Sequence, residues 1–403
     1  MVFYGGIVLK TKIVENLNKV IFVSLVLLSL SCCVSEALAR NCARISIVLT
    51  LLCCLLEPAM LRQVYKFKKI LAATVIFYIS IFLSALYGGN FNELMNINSF
   101  YLQYHFLLVV VCILNIKRKK DVYALLCCMF FSMLISDIYI INQSINGVFR
   151  PVPLVMKAVI VGTMLYMITI PAMLTLCHDT SVDMKTKSFV FVCLLVSLLG
   201  VVYTNTRGGW LALFPVLICM LLYFAKSWKN RVIVLLMVAL VSSVTMYVVP
   251  NTFSRVNSIV HSEKEQSATE RYLMWESAYR MGMDNFFMGV GKGNYADKYQ
   301  KEYISPLAKE PTQTHAHNNF LQLFAEGGIV GFASYCGMLV VFFLWGWKHR
   351  RNTFGIIFLS STTALVLYGV TDYTLPIYSA LRVYWLLMGV CLSGCCMEKA
   401  WWF

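Results

Sequence analysis

Two histidines, His315 and His317, lie near the start of the segment T-Q-T-H-A-H-N-N-F-L-Q-L-F-A-E-G-G-I-V-G at Thr312–Gly331. This segment closes the longest polar stretch of an apolar chain, so the histidines stand where the chain turns back into apolar sequence. Imidazole exchanges a proton near neutral pH, which suits general acid–base work. Residues two apart share a face when extended and diverge on a helix. A helix is expected to open at His317 or Asn318 and to stop at Gly327-Gly328, and its free N–H groups favour an anionic ligand beside His317. His315 is then a supporting residue. A metal reading of H-A-H needs a third ligand, for which His261 and Glu263 are the loose candidates, and no metal is expected. On spacing alone, two histidines satisfied by ordinary hydrogen bonds remain an open reading.

Cations that could meet an anion stand near apolar runs elsewhere. Arg150 lies in V-F-R-P-V-P, Lys157 two turns further on, Arg207 in T-N-T-R-G-G-W and Arg382 in the last apolar run. Ionisable groups at membrane spans are expensive and are functional candidates by default. The competing reading is a side chain that snorkels to the headgroups, and it weighs most for Arg382. Arg207 differs, because it occupies a short turn between two apolar runs and precedes Gly208-Gly209, which permit close backbone approach. Arginines converging on one pocket suit a phosphate or pyrophosphate through bidentate, charge-assisted hydrogen bonds. His105, alone in an apolar run, reads as a packed residue.

The elements that must position these residues are membrane helices. Of 403 residues, 59% are hydrophobic and 13% charged, and the mean hydropathy is +0.72. That composition defines an all-α polytopic membrane protein. Apolar runs of membrane-spanning length are expected near 20–39, 44–61, 70–87, 101–116, 122–142, 153–177, 188–204, 209–225, 231–250, 327–347, 353–371 and 377–396. The domain plan is therefore a membrane part at 1–250, a loop domain at 251–326 and a membrane part at 327–403. The first run resembles a signal peptide, with Ala37-Leu38-Ala39 as a cleavage site, but reads better as an uncleaved anchor.

The net charge of +15 is explained by topology. Basic clusters at Lys10/Lys12/Lys19, Arg62/Lys66/Lys68/Lys69, Lys117–Lys120, Lys185/Lys187, Lys226/Lys229/Arg231, Lys348/Arg350/Arg351 and Lys399 share one side if twelve helices alternate, which makes both termini cytoplasmic. The loop 251–326 is then extracytoplasmic. It carries eight Lys and Arg against nine Asp and Glu, so no nucleic-acid-binding face is expected. It also has none of the 15 cysteines, and neither a disulfide framework nor a thiolate zinc site is indicated.

Within the loop, Ser267-Ala268-Thr269-Glu270 has capping-box spacing and should start a helix, whose Tyr272, Trp275 and Tyr279 form a packing stripe. G-V-G-K-G-N-Y lacks phosphate-loop spacing and reads as a turn. A transporter with a similar helix count would display internal repeats and charged, broken helices at the membrane midplane, and no such symmetry is present.

Taken together, H-A-H-N-N-F-L-Q-L-F-A-E-G-G-I-V-G, T-R-G-G-W-L-A-L and E-R-Y-L-M-W-E-S-A ahead of M-G-V-G-K-G-N-Y resemble the O-antigen ligase and polymerase superfamily. The resemblance implies a GT-C-like membrane fold with a long, partly helical periplasmic loop between helices nine and ten, in the inner membrane. It implies a glycosyltransferase that moves a glycan from undecaprenyl diphosphate, without metal, cofactor or nucleotide sugar, to the lipid A-core oligosaccharide in the periplasm. The family's central arginine maps onto Arg207 and its motif histidine onto His317, both catalytic. Arg150 and Lys157 would join Arg207 on the diphosphate, with His315, Asn318 and Arg382 in support. Asp372 also resembles a position in some ligases. An O-antigen polymerase using the same donor is the nearest alternative.

Overall fold

The computed structural model describes residues 2–96, 105–248, 257 and 266–397, and there is no strand among the described residues. The membrane part begins with α1 (Val2–Ser31), α2 (Glu36–Leu56), α3 (Lys68–Tyr87), the short α4 (Phe91–Asn96) and α5 (Leu108–Asn115). It continues with α6 (Lys119–Ile145), α7 (Val159–His178), α8 (Met184–Tyr203), α9 (Arg207–Phe224) and α10 (Trp228–Val248). Two elements follow outside the bundle, α11 (Gln266–Asp284) and α12 (Tyr295–Lys298), and the chain returns as α13 (Asn319–Lys348), α14 (Thr353–Thr371) and α15 (Tyr378–Met397). Among the described residues, ten helices are long and apolar enough to cross a membrane. The chain is thus an all-α, multi-pass membrane protein. Helices α7 and α15 are buried along most of their length, so the core of the bundle lies around them.

Local chemistry moves several boundaries away from those that hydropathy suggests. The first break falls at residues 32–35 rather than after 39, because the Ser35 hydroxyl caps α2 by accepting from the Leu38 N–H at 3.4 Å. Helix α2 ends at Leu56, two residues before Pro58, instead of running to 61. Helix α7 starts at Val159, not 153, since residues 154–157 bend and Met156 has a left-handed φ of 45° that interrupts any helix there. The described part of the fourth predicted span is the short helix His105–Asn115.

The basic segments gather at one end of the bundle. There the Tyr123 hydroxyl and Thr353 both donate to Asp179, and the Tyr223 hydroxyl donates to the Arg350 carbonyl. Lys399 lies outside the described residues. The opposite end carries the α8–α9 turn, the start of α13 and the end of α14.

At that opposite end α13 is broken. Gly328 has φ 57° and ψ −157°, a conformation open essentially to glycine alone. The chain around the G-V-G turn satisfies the backbone groups freed by this kink. The Ile329 N–H donates to the Phe286 carbonyl at 2.7 Å, while Val290 and Gly291 N–H donate to the Ala325 and Glu326 carbonyls at 2.9 and 3.0 Å. Gly289 and Gly291 have positive φ, and a Cβ on Gly291 would come within 2.4 Å of the Gly88 backbone. The glycines therefore serve a turn and a close approach, as expected of that stretch.

Helix α11 packs on α13 through a small apolar core of Met274, Ala278, Met281, Val290, Tyr295, Tyr299, Tyr303, Ala316 and Ala325. The capping box is not formed: Ser267 and Glu270 lie inside α11, where Ser267 accepts from Arg207 and Glu270 accepts from the Lys309 N–H. In the aromatic stripe Trp275 is half-buried with its ring 5.5 Å from that of the exposed Tyr272, and Tyr279, also exposed, sets its ring 6.1 Å from that of Phe324 on α13.

Candidate active site

His317 immediately precedes the N-cap of α13, with φ 49°, a left-handed backbone that non-glycine residues seldom adopt. Asn318 is the cap itself, its side-chain oxygen accepting from Phe320 and Leu321 N–H. The H-N-N run clasps the chain that leaves α14. Asn318 Nδ2 donates to the Val370 carbonyl at 2.9 Å, His317 Nδ1 lies 3.0 Å from Asp372 Oδ1, and Asn319 exchanges two 2.8 Å bonds with Thr374. Every second residue from 370 to 374 is thus held by one residue of the motif. The strained His317 backbone is over-determined by these contacts.

An ionised carboxylate only accepts, so the bond to Asp372 places the proton of neutral His317 on Nδ1 and leaves Nε2 as a base. Burial pushes the Asp372 carboxyl up, but the hydrogen bond and charge of His317, the Tyr373 N–H and the charge of Arg271 outweigh it and hold the group below its usual range. The Tyr368 hydroxyl donates to the second oxygen at 3.3 Å. The His315 ring lies 4.2 Å from that of His317, centroid to centroid, and its Nδ1 is 2.8 Å from the Thr314 hydroxyl. Burial, then the neighbouring His317, lowers the His315 pKa to about 4. His315 is therefore neutral near pH 7.

Arg207 is brought to the same place. It opens α9, and Gly208 after it packs so tightly on the end of α14 that a Cβ would sit 2.6 Å from Thr371 Oγ1. Thr206, just before it, pairs with Thr163 of α7 at 3.2 Å. Asn205, also at positive φ, donates to the Phe149 carbonyl at 2.9 Å and so ties the segment bearing Arg150 to this turn. Arg150 and Lys157 are both exposed on that segment. The guanidinium of Arg207 donates to Ser267 Oγ at 2.7 Å. Ser267 lies one helical turn before Arg271, whose charge acts on Asp372 and His315.

Arg271 is the residue that sequence reading missed. It stood in E-R-Y-L-M-W, where the aromatic residues drew attention, and only the folded loop brings it to the histidines. Arg382 is 1% exposed and forms a bidentate pair with Glu36 of α2 at 2.7 and 3.2 Å, so it is a buried, paired cation rather than a snorkelling one. His105 is buried against Tyr78 and Trp385, as a packed residue.

One ligand atom each from His315, His317 and Asp372 fall within 4.8 Å of one another, a spacing that a metal ion could use. The third member of that group is Asp372, while His261 and Glu263 lie outside the described residues. One oxygen and one nitrogen of the trio are already spent on the His317–Asp372 hydrogen bond.

The fold and the site together define a multi-pass membrane protein with a histidine–carboxylate pair and a group of arginines at one end of its bundle. Residues 192–336 match the model of the family described as O-antigen ligase. The matched stretch contains both Arg207 and His317, so the likeness to that family falls on the residues of the site. An uncharacterized protein of Haemophilus influenzae is similar, 23% identical over 231 residues, which cover 54% of this chain and 57% of that protein.

Proposed function

We propose that this chain transfers O-antigen from undecaprenyl diphosphate to the lipid A-core oligosaccharide at the periplasmic face of the inner membrane, with both termini in the cytoplasm and the segment 251–326 as its periplasmic domain. The observation that carries this reading is the approach of the Arg207 turn to the Asp372 that holds His317. Arg207, with Arg271 and with Arg150 and Lys157 on the adjoining segment, supplies the positive charge that a diphosphate leaving group needs. His317 supplies the base.

In this scheme Nε2 of His317 takes the proton of the acceptor hydroxyl. The hydroxyl oxygen attacks the anomeric carbon, the carbon–oxygen bond to the diphosphate breaks, and its electron pair stays on the departing phosphate oxygen. Direct displacement inverts the anomeric centre. Asp372 keeps the proton of His317 on Nδ1 and stabilises the imidazolium that forms. One preorganised donor to the developing charge is typically worth about 3 to 4 kcal/mol, and general-base help contributes roughly a hundredfold to ten-thousandfold.

The test is transfer by purified protein from a lipid-diphosphate donor to lipid A-core, in chelator. Folded His317→Ala and Arg207→Ala variants are each expected to lose at least about a hundredfold in rate. Near wild-type transfer by both would sink the reading. Product formed only on a second lipid-linked repeat would make the enzyme a polymerase, and chelator-sensitive activity restored by zinc would make His315, His317 and Asp372 a metal centre.

A further inference from the structure

The transfer scheme leaves two buried cations unused among the described residues, Arg382 with its Glu36 partner and, nearer the histidines, Lys292. Lys292, in G-V-G-K-G, is 7% exposed and donates from Nζ to Glu326 Oε2 at 3.0 Å and to the Tyr373 oxygen at 3.1 Å. Glu93 of α4 brings a second carboxylate to 3.8 Å. Glu326 is 3% exposed, and its other oxygen accepts from the Gly293 N–H at 3.0 Å. Burying charge is costly, and an apolar side chain would fill the same volume more cheaply. Packing alone therefore does not account for this cluster.

Its connections suggest what it does. Glu326 sits at the end of the half-helix that Asn318 caps, just before the Gly328 kink. Tyr373 follows Asp372, and its ring lies 5.6 Å from that of His315. Lys292 thus bonds at once to the element that presents His317 and to the segment that presents Asp372. The asparagine clasp holds the backbone of residues 370–374, whereas Lys292 holds the side chain of Tyr373, and with it the wall against which His315 rests.

We propose that Lys292 is a positioning residue: by bridging Glu326 and Tyr373 it fixes the His317 side of the site relative to the Asp372 side. The inference rests on the glycosyl-transfer reading above for its kinetic consequence, and on geometry alone for its structural one. Lys292 itself touches no reacting atom.

The experiment compares full-length wild type, Lys292→Met and Tyr373→Phe in lipid nanodiscs, by hydrogen exchange and by transfer kinetics. Tyr373→Phe keeps the ring on His315 and removes only the bonded oxygen, so it decides the matter if Lys292→Met does not fold. Both variants are expected to exchange faster at residues 370–374, with 329–348 unchanged. The expected kinetic signature is kcat about a hundredfold lower for Lys292→Met, with the donor KM within about twofold, because displaced groups cost rate rather than donor binding. Unchanged exchange and unchanged kcat in Tyr373→Phe, beside an active wild type, overturn the inference and leave the transfer reading standing. Faster exchange at 370–374 beside a wild type that transfers no glycan does the reverse.

Discussion

His315 and His317 lie ring to ring at 4.2 Å and are chemically unequal. His317 has a carboxylate partner on Nδ1, and His315 has a hydroxyl. Burial and the adjacent His317 lower the His315 pKa to about 4, against an ordinary 6.5. The sign of the consequence follows from linkage. Between about pH 6.5 and about 4 the unfolded chain carries a proton on this residue that the folded chain refuses, so acidification through that window destabilises the fold. Below the window His315 contributes no further change. Asp372, held low, adds stability that is present above the ordinary carboxylate range and lost only as pH falls through its lowered value, outside the His315 window. Thermal midpoints of wild type and His315→Asn, measured across the window, are expected to converge as pH falls, because the wild type loses the more. Parallel curves would remove His315 from the explanation.

At the scale of elements, the kink in α13 sets where the site stands. The half-helix Asn319–Gly327 packs on the loop core through Leu321 and Ala325, and beyond Gly328 the helix runs on into the apolar bundle through Tyr335, Met338, Leu339 and Phe342. Gly328 makes the bend with a backbone that side chains do not tolerate, and a Cβ there would lie 2.4 Å from the Phe287 carbonyl carbon. Gly327 beside it has nothing within 4 Å of a Cβ. Gly328→Ala is therefore expected to cost at least about 1 to 3 kcal/mol and to reduce transfer by turning His317 from Asp372, while Gly327→Ala stays close to wild type. Equal thermal midpoints for the two variants would sink this account.

Much of the frame was legible in the sequence, and the reasons are physical. Ten of the twelve expected apolar runs stand as helices long and apolar enough to cross a membrane among the described residues, and these and the break at Gly328 are set by composition and local backbone chemistry, which short windows of sequence carry. Asp372 was visible only by resemblance, and its bond to His317 was not, because the two residues come from separate helices. Arg271 and Lys292 were hidden for the same reason. The role of each depends on which distant carboxylate or imidazole the fold brings to it. For Arg382 the sequence suggests an interfacial cation or a supporting residue of the site, and its partner Glu36 is hidden because it lies in a helix at the other end of the chain.

For the whole molecule, the two ends of the bundle differ in charge and in content. The described basic clusters lie at one end, and the histidines, Asp372 and Arg207 lie at the other. Positive charge resists translocation, and on that ground the proposed topology puts the basic end in the cytoplasm and the site outside it. The long loop cannot set this orientation itself, since long segments cross largely regardless of their charge. A cysteine probe reads the orientation directly, because most native cysteines are buried or half-buried and poorly reachable. Leu307, 77% exposed near the histidines, and Arg351, exposed at the basic end, are suitable positions. In cells with a permeabilised outer membrane, an impermeant maleimide is expected to label Leu307→Cys and to leave Arg351→Cys unlabelled until the inner membrane is broken. The reverse pattern would put the site in the cytoplasm, away from any acceptor on the outer leaflet. It would remove the periplasmic ligase reading even if every residue-level contact were correct.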